Sequence, residues 1–415
     1  MTTDELRSRL GRVGIWMPPP ERTGVDPAAT AAAIERAGFT SAWIGGGNAT
    51  PDAFARLRPL LAGSENLIVA TGIANVWAWE PARMRAEAED LAGEFPGRFI
   101  LGLGVSHAPL VASLGHSYLR PLRKMEKFLG ELDHPAQHGA DRQLPPIVLA
   151  ALGPKMLRLS GDQTLGAHPY FTPPEHTAFA RSVLGPTPLL VPEQAVSLAG
   201  DTAEGLAAGR GYCQRYLRLP NYTRNLERFG FGPADFAHGG SDRLISAIVP
   251  SGASAALDRV REHLDAGADH VVIQPLGADG GFAAGAVDEL AAAVTELMKR
   301  SLRGEPHRPG RRGEAYEAAA CWTPVTSYRW CTGSWTRYLP NVSTVNTAPS
   351  LRRPGRRHWS ALTAANRPAS ACAASLSCSV TRAGSFSPER SATAVSSWSQ
   401  FAKSGSSSVS IRPSR

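Results

Sequence analysis

Chemistry in this chain can begin at only a few places. "RFILGLGVSHAP" (98–109) sets a Gly102-x-Gly104 pair at the end of an apolar run, with Ser106 and His107 just beyond. "LIVATGIANVWAW" places Gly72 after another such run, and "ALGPKMLRL" opens a helical pattern at Gly153-Pro154 with Lys155 in its first turn. Backbone without a side chain lets a flat ring approach closely. Free amides at a helix start, with an ammonium beside them, suit a phosphate. Ser106 and His107 are neighbours on a strand end, so their side chains diverge and they make no nucleophile–base pair. The same glycines also fit plainer roles: a bulge at Gly72 that only shapes a sheet, and a tight loop at Gly153.

Other chemistries lack their residues. The sequence holds no G-x-x-x-x-G-K-S/T, H-E-x-x-H, C-x-x-C or G-x-S-x-G pattern. The 11 histidines are scattered, and His168 and His176 stand too far apart for a metal pair. G-x-G-x-x-G would mark a dinucleotide fold, but position 107 is His and Pro109 follows.

The elements that must position these residues alternate along residues 1–300. Apolar strand-like runs occur at 12–16, 40–45, 66–74, 98–104, 146–152, 166–171, 188–199 and 268–276. Helical patterns follow them, such as 26–38, with Asp26 as N-cap, Pro27 in the first turn and Gly38 closing. Others cover 51–62, 80–95, 117–132 and 286–300. Eight such units predict an α/β fold, a parallel (β/α)8 TIM barrel, with a helical insertion over 201–267 between strands seven and eight. An open doubly wound sheet is the rival. In a barrel the chemistry sits at the C-terminal strand ends. Those ends are rich in glycine and poor in carboxylates, which argues against paired acid–base catalysis and for a planar ligand that brings its own reactivity.

Charge and cysteine divide the chain at the same point. Residues 301–415 hold 15 Arg and 1 Lys against 4 Glu, a net of +12, leaving −4 over residues 1–300. This tail is rich in Arg, Ser and Pro, has no apolar periodicity, and is expected to be disordered or a frame-altered extension. A basic arm for nucleic acid is the other reading of it, although nucleic acid is not the expected partner of the chain. Cys213 is the body's one cysteine, which fits a reducing cytoplasm. No run reaches the roughly 18 apolar residues of a membrane helix, so no membrane partner is expected.

The ordered series "VGIWMP", "AGFTSAWIG", "LIVATGIANVWAWEP", "RFILGLGVSHAP" and "AALGPKMLRLSGD…GAHPYFTPPEHT" resembles the luciferase-like monooxygenase superfamily, and within it the F420-dependent oxidoreductases of actinobacteria. The resemblance spans about Arg12 to Arg300. It implies a deazaflavin, coenzyme F420, or alternatively FMN, lying across the mouth, and a small-molecule substrate. It implies a ring-backing bulge at Gly72 and Ile73, often a cis peptide in the family. It puts cofactor contacts at Leu103, Gly104 and Val105, and a phosphate turn at Leu152 and Gly153 with Lys155 nearby. Trp16 and Gly46 would line the substrate pocket, Trp43 the core. Some relatives carry an acid and a histidine after strand two, where this chain has Gly45-Gly46-Gly47, and an acid after strand four, where it has Val105. Their catalytic roles do not transfer, which leaves His107 as the candidate proton donor; a purely structural histidine is its alternative. The expected activity is hydride transfer between F420 and a small organic substrate. An FMN-dependent monooxygenase and a catalytically idle flavin-binding barrel are the alternatives, and a homodimer is the implied assembly.

Overall fold

The computed structural model describes residues 1–20, 24–46, 53–133 and 143–302. The chain divides into Met1–Trp322 and Thr323–Arg415; the tail expectation lies outside the described residues.

All strand pairings are parallel. They join β1 (Val13–Met17), β2 (Ser41–Ile44), β3 (Ile68–Thr71), β4 (Ala74–Asn75), β5 (Phe99–Gly104), β6 (Ile147–Leu149), β7 (Gly166–Ala167), β8 (Leu189–Leu190), β9 (Glu193–Ser197) and β10 (Val271–Leu276). The order is β8-β7-β6-β5-β3-β2-β1-β10-β9, with β4 extending β3 along β5. β8 and β9 are consecutive pieces of one chain segment. The Val191 amide donates to the Ala167 carbonyl (2.9 Å), and the Val272 amide to the Pro192 carbonyl (3.0 Å). The two ends of the order therefore meet, and the sheet closes as a TIM-barrel-like fold. The predicted seventh strand is thus two pieces split at Pro192, which has no amide to donate. The predicted sixth strand shortens to β7, because Pro169 ends its ladder.

Side chains alternate between the two faces of each strand. Ile68, Ala70, Ile100, Val148, Leu189 and Val272 fill the barrel with Trp16 and Trp43. Ile15, Ala42, Val69, Leu101, Leu103 and Ile273 point outward into the shell beneath the helices. The helices bury matching stripes, as in Pro121–Leu132, where Met125, Phe128, Leu129 and Leu132 are inside. That helix begins four residues later than the sequence pattern suggests. The helix expected over 51–62 is a short turn and then Arg58–Ala62; residues 51 and 52 lie outside the described residues.

One helix was not expected from the sequence. Thr3–Leu10 opens with a Thr2/Glu5 capping box, and its buried Leu6 and Leu10 close the barrel floor. Above that plug three polar side chains, Trp43, Ser41 and His270, pair with one another. The Trp43 indole N–H donates to Ser41 Oγ (3.1 Å), and Ser41 lies 2.8 Å from His270 Nε2. His270 Nδ1 reaches the Gly11 carbonyl at 3.2 Å. At the junction of β8 and β10, Asp269 accepts from Arg7 Nε (2.8 Å), Arg181 Nη2 (2.7 Å) and the Leu190 amide (2.8 Å).

The insertion before β10 holds helices Thr202–Tyr216, Pro220–Glu227, Pro233–Phe236, Asp242–Ile248 and Ala253–Asp265. Its own core joins Tyr212, Cys213, Tyr222, Leu226, Leu244, Ile245 and Ile248 to Phe171, Ala195 and Leu276 of the barrel. Among the described residues, no helix is long and apolar enough to cross a membrane.

Candidate active site

The C-terminal strand ends form a mouth. Trp16 rises inside it on β1, 8% exposed. Its indole occupies the space above the glycines of the next two strands. A Cβ on Gly45 would fall 1.7 Å from the Trp16 ring, and one on Gly72 would fall 3.1 Å from its Nε1. The bare rim of strands two and three is therefore faced by Trp16 itself. Gly46 follows, exposed, with φ +71°. The Gly72–Ile73 peptide is cis, where the resemblance puts that feature, and both residues are partly exposed.

The Gly102-x-Gly104 pair serves the barrel wall. A Cβ on Gly102 would lie 2.0 Å from the Thr71 carbonyl oxygen, and one on Gly104 would lie 2.4 Å from Ile73 Cδ1. Thr71 Oγ1 bonds both the amide and the carbonyl of Gly102 at 2.8 Å. Leu103 is wholly buried in the outer shell, so it offers the mouth only main chain. Val105, Ser106 and His107 follow, half-buried, and Ser106 takes φ +55°. The His107 ring lies 5.4 Å from Tyr222 of the insertion. Burial lowers the His107 pKa, with the Asn221 side chain acting against that shift. His107 Nδ1 has no partner.

After β6, Leu152 and Gly153 turn into the ten-residue helix Pro154–Gln163, with Gly153 as N-cap and no side chain capping it. The Leu152 carbonyl accepts from His176 Nε2 (3.0 Å). Lys155 is exposed. Arg228, 75 residues away in sequence, reaches this turn from the insertion. Both its terminal nitrogens stand 3.8 Å from the Cβ position of Gly153. Nothing in its local sequence marks Arg228, so spacing could not have found it.

Sequence reasoning also missed the aromatic roof. Tyr170 lies 5.4 Å from Trp16, and Phe171, Tyr212, Tyr216 and Tyr222 pack ring to ring around it. Tyr170 Oη donates to Gln274 Oε1 (2.8 Å) and meets Tyr216 Oη (2.8 Å). Glu193 is buried beneath, taking hydrogen bonds from Tyr212 Oη (3.2 Å) and the Phe171 amide (3.2 Å). Burial pushes its pKa up to about 8. The Tyr212/Tyr216 spacing of four was the one available signal, since it puts both rings on one helical face.

Several buried polar atoms here are unpaired: Trp16 Nε1, His107 Nδ1, His168 Nε2, His176 Nδ1, and both amide atoms of Asn225. His168 Nδ1 donates to the Val191 carbonyl (2.7 Å), so its Nε2 is a free acceptor. A Cβ on Gly72 would lie 3.7 Å from it. An unpaired donor from Trp16 and an unpaired acceptor from His168 thus flank Gly72.

The model of the luciferase-like monooxygenase family matches residues 19–183. No curated protein matches the chain. Among solved structures, the coenzyme F420-dependent tetrahydromethanopterin reductase of Methanopyrus kandleri is similar with TM-score 0.56 and 17% identity, over 69% of this chain and 99% of that one. The FMN-bound oxygenating constituent of 3,6-diketocamphane monooxygenase from Pseudomonas putida gives TM-score 0.53 and 14% identity, over 69% and 98%. An F420-dependent secondary alcohol dehydrogenase, in complex with an F420–acetone adduct, gives 0.50 and 14%, over 69% and 99%. At these identities the structural likenesses carry the fold alone. The family model and these structures meet in the same part of the chain, the barrel, and what they give together is a luciferase-like monooxygenase match over residues 19–183 on a TIM-barrel-like fold.

Proposed function

We propose that the protein is an F420-dependent oxidoreductase that moves a hydride between the deazaflavin and a small organic substrate. The observation that carries this reading is the cationic turn after β6 beside a partly exposed Gly72–Ile73 edge. Gly153 presents main-chain amides at a helix start, Lys155 stands in the first turn, and Arg228 faces the same spot. Neither cation has a hydrogen bond or ion pair among the described residues, so both are free for an anion. The unpaired Trp16 and His168 nitrogens suit a polar group near Gly72.

In this reading Gly153, Lys155 and Arg228 hold the phosphate, and Ile73 and Val105 border the ring. Trp16 and Gly46 face the substrate. When bound, the deazaflavin supplies a carbon that takes or gives hydride. His107 supplies the proton step. Burial keeps its imidazole neutral at pH 7, the state that takes the hydroxyl proton of a substrate whose carbon loses hydride. The reverse reaction returns that proton. His107→Ala should slow turnover about 10²-fold with little change in cofactor affinity.

FMN carries the same ribitol phosphate, and the cationic turn serves it equally; that is the second reading. Titrating F420 and FMN into the full-length protein, followed by ring fluorescence, separates them. F420 bound at least tenfold tighter is the expected result. Preference for FMN moves the reading to an FMN-dependent monooxygenase, and binding of neither ring overturns both. A cytoplasmic homodimer completes the proposal, with light scattering as its check.

A further inference from the structure

Helix Pro220–Glu227 crosses the mouth and touches two of its loops. Tyr222 lies against His107, in the loop after β5. Arg228, the residue that caps the helix, stands over Gly153, in the loop after β6. Phe229 packs 5.7 Å from His176, which in turn holds the Leu152 carbonyl. Asn225 sits midway, about 4.5 Å along the axis from Tyr222 and from Arg228. At about 100° per residue its side chain also projects between theirs. Asn225 therefore faces the space between the two loops.

Asn225 is 3% exposed, and neither its amide nitrogen nor its amide oxygen has a partner. Buried amides in folded proteins are paired, with protein, ordered water or a ligand, so this one calls for a partner beyond the described residues. That partner must both give and take hydrogen bonds, as a hydroxyl does. It must also lie next to the anion site at Gly153, Lys155 and Arg228.

We infer that helix Pro220–Glu227 reads a phosphorylated polyol, with Arg228 taking the phosphate and the Asn225 amide pairing with a hydroxyl of the polyol. This rests on the cofactor reading above, in which phosphate, polyol and ring run in that order from Gly153 toward Gly72. It holds alike for F420 and FMN, because both rings carry a ribitol phosphate. Both Asn225 atoms are sealed from solvent, so the polyol reaches them with the helix displaced outward.

The test uses ligands that shed one group at a time. FMN, riboflavin and lumiflavin share a ring; the first has phosphate and polyol, the second polyol alone, the third neither. F420, its dephosphorylated ribityl form and the N-methyl deazaflavin form the parallel set. Each is titrated into full-length wild type, Asn225→Leu, Arg228→Ala and Arg228→Lys. Arg228→Ala should erase about a tenfold affinity gap between the phosphorylated and unphosphorylated ligands and leave the polyol gap intact. Arg228→Lys should restore part of it. Asn225→Leu should erase the gap between the polyol ligand and the bare ring while the phosphate gap persists. Its Tm without ligand should hold or rise, because an unpaired buried amide gives way to an apolar group of similar size. Rings that bind with both gaps unchanged in the variants overturn this inference and leave the cofactor reading standing. A lowered Tm for Asn225→Leu with the gaps intact makes Asn225 a structural residue. Failure of every ring to bind wild type overturns the cofactor reading and this inference with it.

Discussion

The floor and the mouth of this barrel treat buried polar groups in opposite ways. On the floor, Trp43, Ser41 and His270 form a closed chain, and both His270 nitrogens have partners. His263, behind β9, is likewise satisfied on both sides, by Thr177 Oγ1 and Gln194 Oε1 at 2.8 Å each. At the mouth, His107, His168 and His176 each keep one unpaired nitrogen, and Asn225 keeps two unpaired atoms. A paired buried group stabilises the fold, whereas an unpaired one costs stability until something binds it. The floor thus satisfies its polar groups from within the chain, and the mouth does not.

Substitutions can break that contrast. The largest effect belongs to Gly14, since a Cβ there would stand 2.0 Å from Ser41 Oγ and 2.7 Å from His270 Nε2. Gly14→Ala should cost about 3–5 kcal/mol through overpacking and loss of the hydrogen-bond chain, read by denaturant unfolding. Asp269→Ala comes next. It takes one acceptor each from Arg7, Arg181 and the Leu190 amide at the barrel junction, and should cost about 2–4 kcal/mol. Neither change touches the mouth. If either removes ring binding while the fold stays intact, the separation of floor and mouth fails.

Acid should sharpen the comparison. Burial pushes His168, His176 and His270 down to about 4 and His263 well below its usual range. The unfolded chain binds these protons near pH 6.5 and the folded chain does not, so stability falls as pH drops from about 6.5 to about 4. Glu193 works in the opposite sense. Its pKa is raised to about 8, so its share of stability is lost as pH rises from the ordinary carboxylate range toward 8. Four histidines outweigh one glutamate below pH 6.5. Tm should therefore drop on the acid side, and Glu193→Gln should flatten the alkaline decline. A Tm that is level from pH 4 to 7 would contradict the burial of the histidines.

The smallest effect is expected at Gly153. A Cβ there meets only Arg228, at 3.8 Å, so Gly153→Ala should change stability by less than about 0.5 kcal/mol. It should still weaken ring binding, because the added methyl stands where phosphate approaches the amides. Unchanged affinity would move the anion site elsewhere.

What the sequence disclosed follows from the range of the forces involved. Local punctuation was readable. Asp26 caps its helix through the Ala29 amide (2.8 Å), Pro27 opens it, and Gly38 takes φ +87°. Apolar runs marked the strands because both faces of a parallel sheet are covered. The break at Pro192 and the early end of β7 were less plain, since apolar runs continue through both. The Thr3–Leu10 plug was missed because its short amphipathic pattern gains meaning only beneath a barrel. At the mouth, glycine spacing singled out Gly72, Gly102, Gly104 and Gly153, but could not tell that a Cβ on Gly102 would meet the Thr71 carbonyl of the neighbouring strand. Arg228, Asn225 and Glu193 were invisible, because their significance comes from partners, or missing partners, far away in the chain.

The helix Thr3–Leu10 has a practical corollary. With Leu6 and Leu10 wedged under the strands, the packed interior is covered at the floor, opposite the mouth. Met1 is 44% exposed on the sealed side. A tether fixed at that end would hold the molecule with its opening turned to solution.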